Sequence, residues 1–169
     1  LADKVEENPL RGDIIYGLLL ITYFRGNLTT SIVRADELIE LAQASGDTAQ
    51  LLVAKRLAGI VRLKMGRFEE AQVCLDEAEI ICRNVASEDL TGRFGHDPVM
   101  AVQIYQSISA MFQGQTTVSE KYLQQAQQRA ALVDHPNTNC ALHSLIVARS
   151  PLATDLAAEK HHPHIPTHL

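Results

Sequence analysis

The chain is 169 residues long, with 21 Leu and 20 Ala against 9 Gly, 6 Pro and no Trp, and its formal charge is −5. Ala and Leu lose least on entering a helix, and a hydrophobic share of 46% is too high for a disordered chain but ordinary for one globular domain. The charge lacks the basic excess of a nucleic-acid footprint, so no nucleic-acid partner is expected, and three dispersed cysteines exclude a disulfide scaffold.

Proline is absent from Leu10 to Asp97, a stretch of 88 residues, so the glycines become the informative breaks. Asp13–Arg25 is expected as a first helix, stopped at Gly26-Asn27. Its apolar run Ile14–Phe24 has 11 residues, short of the roughly 20 that span a membrane, so no membrane partner is expected. Thr29 and Thr30 are expected to cap a second helix reaching Ala44, ahead of Ser45-Gly46. Asp47-Thr48 starts a third that ends at Met65-Gly66, and a fourth runs from about Arg67 to Asn84. Val85–Asp97 reads as a loop. Asp97-Pro98 then gives an N-cap followed by proline at the first helical position, opening a fifth helix that ends at Gly114. Thr116-Thr117 open a sixth reaching Val133, and a seventh follows His135-Pro136 and stops before Pro151. Residues 151–169 are expected to hold a partial last helix and a disordered His-rich tail.

In the fourth helix Phe68, Ala71, Leu75, Ala78 and Cys82 share one face, while Glu69, Glu70, Asp76, Glu77 and Arg83 mostly occupy the other. No stretch alternates apolar and polar residues long enough for a strand. The fold class is all-α, and the short turns make successive helices antiparallel neighbours. Cys74 and Cys82, eight apart on one helix, are separated by roughly 12 Å at 1.5 Å per residue, too far to bridge. With Cys140 they read as buried, reduced, structural residues. No basic segment precedes the first apolar run, which reads as a chain without a signal peptide and as a cytoplasmic protein. The start at Leu1 rather than Met reads as a fragment of something longer.

Aligned on the turns at Gly26, Gly66 and Gly114, the hairpins resemble one another. The second unit supplies Gly59, Phe68, Ala71, Leu75 and Ala78, and the third supplies Ser107, Thr116, Ser119, Leu123 and Ala126 at the same places. The first supplies Leu19, Leu28, Ser31, Ala35 and Leu38. This pattern resembles the tetratricopeptide repeat, in which small residues sit where the two helices of a hairpin cross. Ala42-x-x-Ser45-Gly46-Asp47, Leu63-x-x-Gly66-x-Phe68-x-x-Ala71, Phe94-Gly95-His96-Asp97-Pro98 and Val133-x-His135-Pro136 narrow the likeness. They resemble the degenerate repeat region of bacterial multidomain signalling ATPases and adenylyl cyclase-like proteins.

The resemblance implies a short right-handed superhelix over residues 1–150, with hairpins at about 10–45, 47–85 and 97–133 and a partial fourth from 136. It also implies a concave partner-binding groove lined by the first helix of each hairpin. By position that lining is Tyr16, Leu20 and Tyr23, then Arg56, Ile60 and Leu63, then Ile104, Ile108 and Met111.

Residues for covalent chemistry are sparse. The sequence has no phosphate-cradling G-x-x-x-x-G-K-[ST] or G-x-G-x-x-G loop, no G-x-S-x-G elbow and no H-E-x-x-H helix. No catalytic residue, cofactor or metal is expected. Four of the seven histidines, His161, His162, His164 and His168, fall in the last nine residues, but Pro163 and Pro166 break any helix that would fix a metal geometry. The insertion places Arg93, His96 and Asp97 on a candidate ligand loop, against the alternative that Asp97 caps its helix and Phe94 packs the turn. The expected function is a non-catalytic interaction and regulatory module for a protein or peptide partner, or for a sister domain of a longer chain. Two alternatives stand beside it: a small-ligand sensor built on the insertion, and a structural homodimerisation unit.

Overall fold

The computed structural model describes residues 10–85 and 90–159, and every regular element among them is helical. In chain order these are α1 (Arg11–Phe24), α2 (Leu28–Ser45), α3 (Thr48–Lys64), α4 (Phe68–Asn84), α5 (Leu90–Phe94), α6 (Pro98–Phe112), α7 (Thr116–Val133) and α8 (Pro136–Glu159). The all-α reading holds. No described helix is long and apolar enough to cross a membrane.

Local chemistry sets most boundaries. Asp47 caps α3 by accepting from the Gln50 amide at 2.8 Å, and Asp97 caps α6 by accepting from the Met100 amide at 2.7 Å with Pro98 behind it. The cap of α2 is Asn27, which accepts from the Thr30 amide at 3.1 Å; Thr29 and Thr30 lie inside the helix instead. A short polar side chain works as a cap only from the residue before the first turn, and Asn27 is that residue. Gly46 closes α2 at φ 72°, a conformation that costs other residues the strain of a Cβ.

Three expectations change. Residues 86–89 of the insertion lie outside the described residues, and 90–94 form the short helix α5 rather than a loop. Leu90 explains this: it is buried against Ala49, Leu52, Val85 and Val102, so the segment is pinned to the core. The last helix runs through Pro151 to Glu159, because an Ala- and Leu-rich continuation favours helix and proline removes only one backbone donor there. Cys74 and Cys82 are buried, but Cys140 is exposed. The histidines expected in the tail, His161, His162, His164 and His168, lie outside the described residues.

The helices form two rows. α1, α3, α6 and α8 touch in succession, and α2, α4 and α7 pack behind them, each against its hairpin partner. Within the hairpins, small residues sit between the helices. Gly59 of α3 abuts α4 so closely that a Cβ there would lie 2.8 Å from Leu75 Cγ and 3.2 Å from the Ala71 carbonyl oxygen. In α6 and α7 the fully buried Ser107 and Ser119 exchange two bonds of 2.8 Å, each hydroxyl donating to the other residue's carbonyl. In α1 and α2 the buried Ser31 hydroxyl lies 3.1 Å from that of Thr22.

The start of α6 ties three elements together. Asp97, 2% exposed, accepts from Arg129 of α7 at 2.8 Å, and its amide donates to Thr138 Oγ1 of α8 at 3.0 Å. This knot holds α8 at the end of the first row.

Candidate functional site

The row α1–α3–α6–α8 bends so that α1 and α8 border the same groove. Its larger lobe, about 470 Å³, is bounded by Tyr16, Leu20, Tyr23 and Phe24 of α1, Arg56, Leu57 and Ile60 of α3, and Tyr105 of α6. Phe94 and His96 supply one wall, and Ala141, Ser144 and Leu145 of α8 the opposite rim. A second lobe of about 450 Å³ runs on past Tyr23, Tyr105 and Leu145 to Leu63, Lys64, Phe68, Ile108 and Phe112. Volumes of this size suit a small ligand or a short extended segment.

The expected site residues fall out unevenly. Tyr16, Leu20, Tyr23, Arg56, Ile60, Leu63 and Ile108 border one lobe or the other. Ile60 is only 2% exposed, however, because it packs into the cluster of Ile15, Leu19, Val53 and Leu57. It is a floor residue, and a charge there would break the core. Ile104 is fully buried against Ala71, Met100 and Ala126, and Met111 borders neither lobe. Tyr105, Ile108 and Phe112 form the groove face of α6, because the Ser107–Ser119 crossing turns Ile104 inward. Aromatics at i and i+7 were the sequence signal for that register. The α8 residues had no such signal, since they reach the groove only through the tertiary bend.

The insertion divides in the same way. Arg93 grips Asp47 with two bonds of 2.6 and 3.1 Å, clamping α5 to the start of α3; the guanidinium holds the Asp47 carboxyl below the usual carboxylate range. Asp97 belongs to the cap and knot of α6. Neither Arg93 nor Asp97 borders a lobe, while His96 and Phe94 both do. Phe94 packs edge-on to Tyr16 at 6.0 Å between ring centres.

The polar groups of the larger lobe are few and shifted toward neutrality. Arg56 Nη1 lies 2.9 Å from His96 Nε2. Burial, then the Arg56 charge, lowers the imidazole to about 4, so at neutral pH the ring is uncharged. A guanidinium can only donate, so Nε2 accepts and the ring proton sits on Nδ1. Burial, reinforced by the neighbouring Tyr105 phenol, raises Tyr23 to about 12. Burial pushes the nearby Cys82 thiol to about 12 as well, which keeps it protonated and a poor nucleophile. Among the described residues no group of three or more His, Cys, Asp or Glu side chains is arranged to hold a metal ion. What the lobe offers is hydrogen-bond donors set in an apolar wall.

Fold and site together define an all-helical hairpin array with a concave, aromatic-lined cleft. Comparison of the chain with family models, curated proteins and solved structures returned no match.

Proposed function

We propose that the chain is a non-catalytic interaction and regulatory module of the tetratricopeptide type, whose concave groove receives a segment of a partner or of a sister domain. The observation that carries this reading is the groove itself: two adjoining cavities, walled by α1, α3, α6 and α8, that share Tyr23, Tyr105 and Leu145. Buried aromatic and aliphatic anchors dominate most interfaces, and this cleft presents a row of pockets for them. The small residues at Gly59 and at Ser107–Ser119 support the repeat reading. Exposed Ile14, Leu18 and Ile21 on the outer face of α1 support membership of a longer array, such as a bacterial signalling protein would carry.

Panning a random peptide library on the wild-type chain tests this, with Phe24→Glu/Phe112→Lys as the counter-screen. Phe24 is 80% exposed and Phe112 42%, so the charges alter the groove rim without entering the core. Selected peptides should bind the double variant at least tenfold more weakly, with its circular dichroism unchanged. Peptides that bind both proteins equally would refute the groove. A second reading, the small-ligand sensor, is favoured by one observation: Phe94 and His96, both from the insertion, close a wall of the larger lobe onto Arg56.

A further inference from the structure

We propose that the larger lobe binds a small organic monocarboxylate with an apolar body, and that Arg56 is the residue that recognises it. The inference rests on the ligand-sensor reading of that lobe and gives the ligand its chemical class.

Arg56 is unlike the other arginines packed against the fold. Arg62 reaches Asp36 and Glu70, Arg93 reaches Asp47, and Arg129 reaches Asp97. Arg56 is 4% exposed, yet no ion pair among the described residues includes it. Its one side-chain hydrogen bond among the described residues goes to His96, and its Nε is buried without an acceptor there. Among the described residues the titratable groups around the guanidinium are Tyr16, Tyr105, Cys82 and His96. At neutral pH the Cys82 thiol and the His96 ring are uncharged, and burial favours the neutral phenol of Tyr105. The Asp97 charge that His96 senses is already engaged by Arg129 and by the start of α6.

A desolvated cation that faces only neutral partners among the described residues is a costly arrangement that an incoming anion relieves. The guanidinium fork matches the planar geometry of a carboxylate. Charge counting sets the valence. Arg56 is the one cation among the described residues that border the lobe, so a carboxylate is neutralised one for one. A phosphate dianion would leave an uncompensated charge against Leu20, Ile60, Phe94 and Leu145. Those same side chains select an apolar body. The His96 bond fixes the guanidinium before the ligand arrives, which lowers the ordering cost of binding.

Calorimetric titration of the intact chain at pH 7 tests the proposal with four probes: benzoate, phenylacetate, 3-phenylpropanoate and 4-methylpentanoate. Each is compared with its own neutral primary amide, and phenyl phosphate serves as the dianion. At least one carboxylate should bind saturably, its amide at least tenfold more weakly, and phenyl phosphate no better than the carboxylate. Arg56→Gln should lose the preference for acid over amide. Ser144→Trp, at the exposed rim on α8, should block the lobe and lose binding with the helical signal unchanged. If Arg56→Gln fails to fold, the acid–amide contrast and Ser144→Trp still decide the outcome. Amides that bind as well as acids would overturn the carboxylate assignment and leave the ligand-sensor reading standing. Failure of all nine compounds to bind would overturn both, and tighter binding of phenyl phosphate would overturn the charge argument.

Discussion

Gly17 and Gly59 lie in the interiors of first-row helices, and the same substitution should act on them with opposite sign. Ala is favoured over Gly in a helix interior by about 1 kcal/mol, so Gly→Ala gains that much wherever the methyl fits. A Cβ on Gly17 of α1 meets nothing within 4 Å, so Gly17→Ala should stabilise by about 0.5–1 kcal/mol. A Cβ on Gly59 of α3 lies 2.8 Å from Leu75 Cγ, 3.0 Å from Leu75 Cδ2 and 3.2 Å from the Ala71 carbonyl oxygen. Leu75 is fully buried and the carbonyl belongs to α4, so neither moves freely. Overpacking of this kind costs about 1–3 kcal/mol. The propensity gain is common to both variants and cancels in the comparison, so the 1–3 kcal/mol difference reports the α3–α4 contact alone. For a chain of this length about 1 kcal/mol moves Tm by roughly 2–4 °C, which puts Gly59→Ala about 2–12 °C below Gly17→Ala in a thermal melt. Leu75→Ala should recover part of the Gly59→Ala loss, as neighbours in contact do not act additively. Equal melting temperatures for the two glycine variants would refute the close crossing.

Asp97→Ala removes a cap and a charged partner, and should cost about 2–4 kcal/mol by chemical denaturation; Asp97→Asn keeps a capping oxygen and should cost about half as much. Arg129 is partly exposed and can rehydrate, so the full penalty of a stranded buried ion does not apply. Additive losses in the Asp97→Ala/Arg129→Met cycle would show that the pair does not interact. His96, lowered to about 4 from an ordinary 6.5, favours the fold only when neutral. Its contribution is therefore complete above about 6.5 and is lost as pH falls toward 4, so the wild type should lose more stability across that window than His96→Gln. A ring titrating near 6.5 by NMR would place His96 in solvent. Ultraviolet titration should find the Tyr23 phenol near 12, and Tyr105→Phe should lower that midpoint while burial keeps it above the ordinary 10; an unmoved midpoint would mean the two hydroxyls are not coupled.

Local signals in the chain determine the helices. Gly26, Gly46, Gly66 and Gly114 mark turns because a left-handed residue ends a helix wherever it occurs, and Asp47 and Asp97-Pro98 mark starts because a cap needs only its own first turn. Amphipathic spacing identifies Leu75 and Ala78 as buried without reference to any neighbour. Tertiary structure decides what spacing cannot reach. Leu90 turns an apparent loop into α5 only because Ala49 and Leu52 lie beneath it. The register of α6 depends on the Ser107–Ser119 crossing, so Tyr105 rather than Ile104 faces the groove. Arg93, His96 and Asp97 are near neighbours in sequence yet serve three places, because α3, α6 and α7 approach that segment from different sides. Arg56 reads in the sequence as one groove position among nine; that no carboxylate among the described residues pairs with it is a property of what a sequence separation of 40 brings beside it, and that is written in the packing alone.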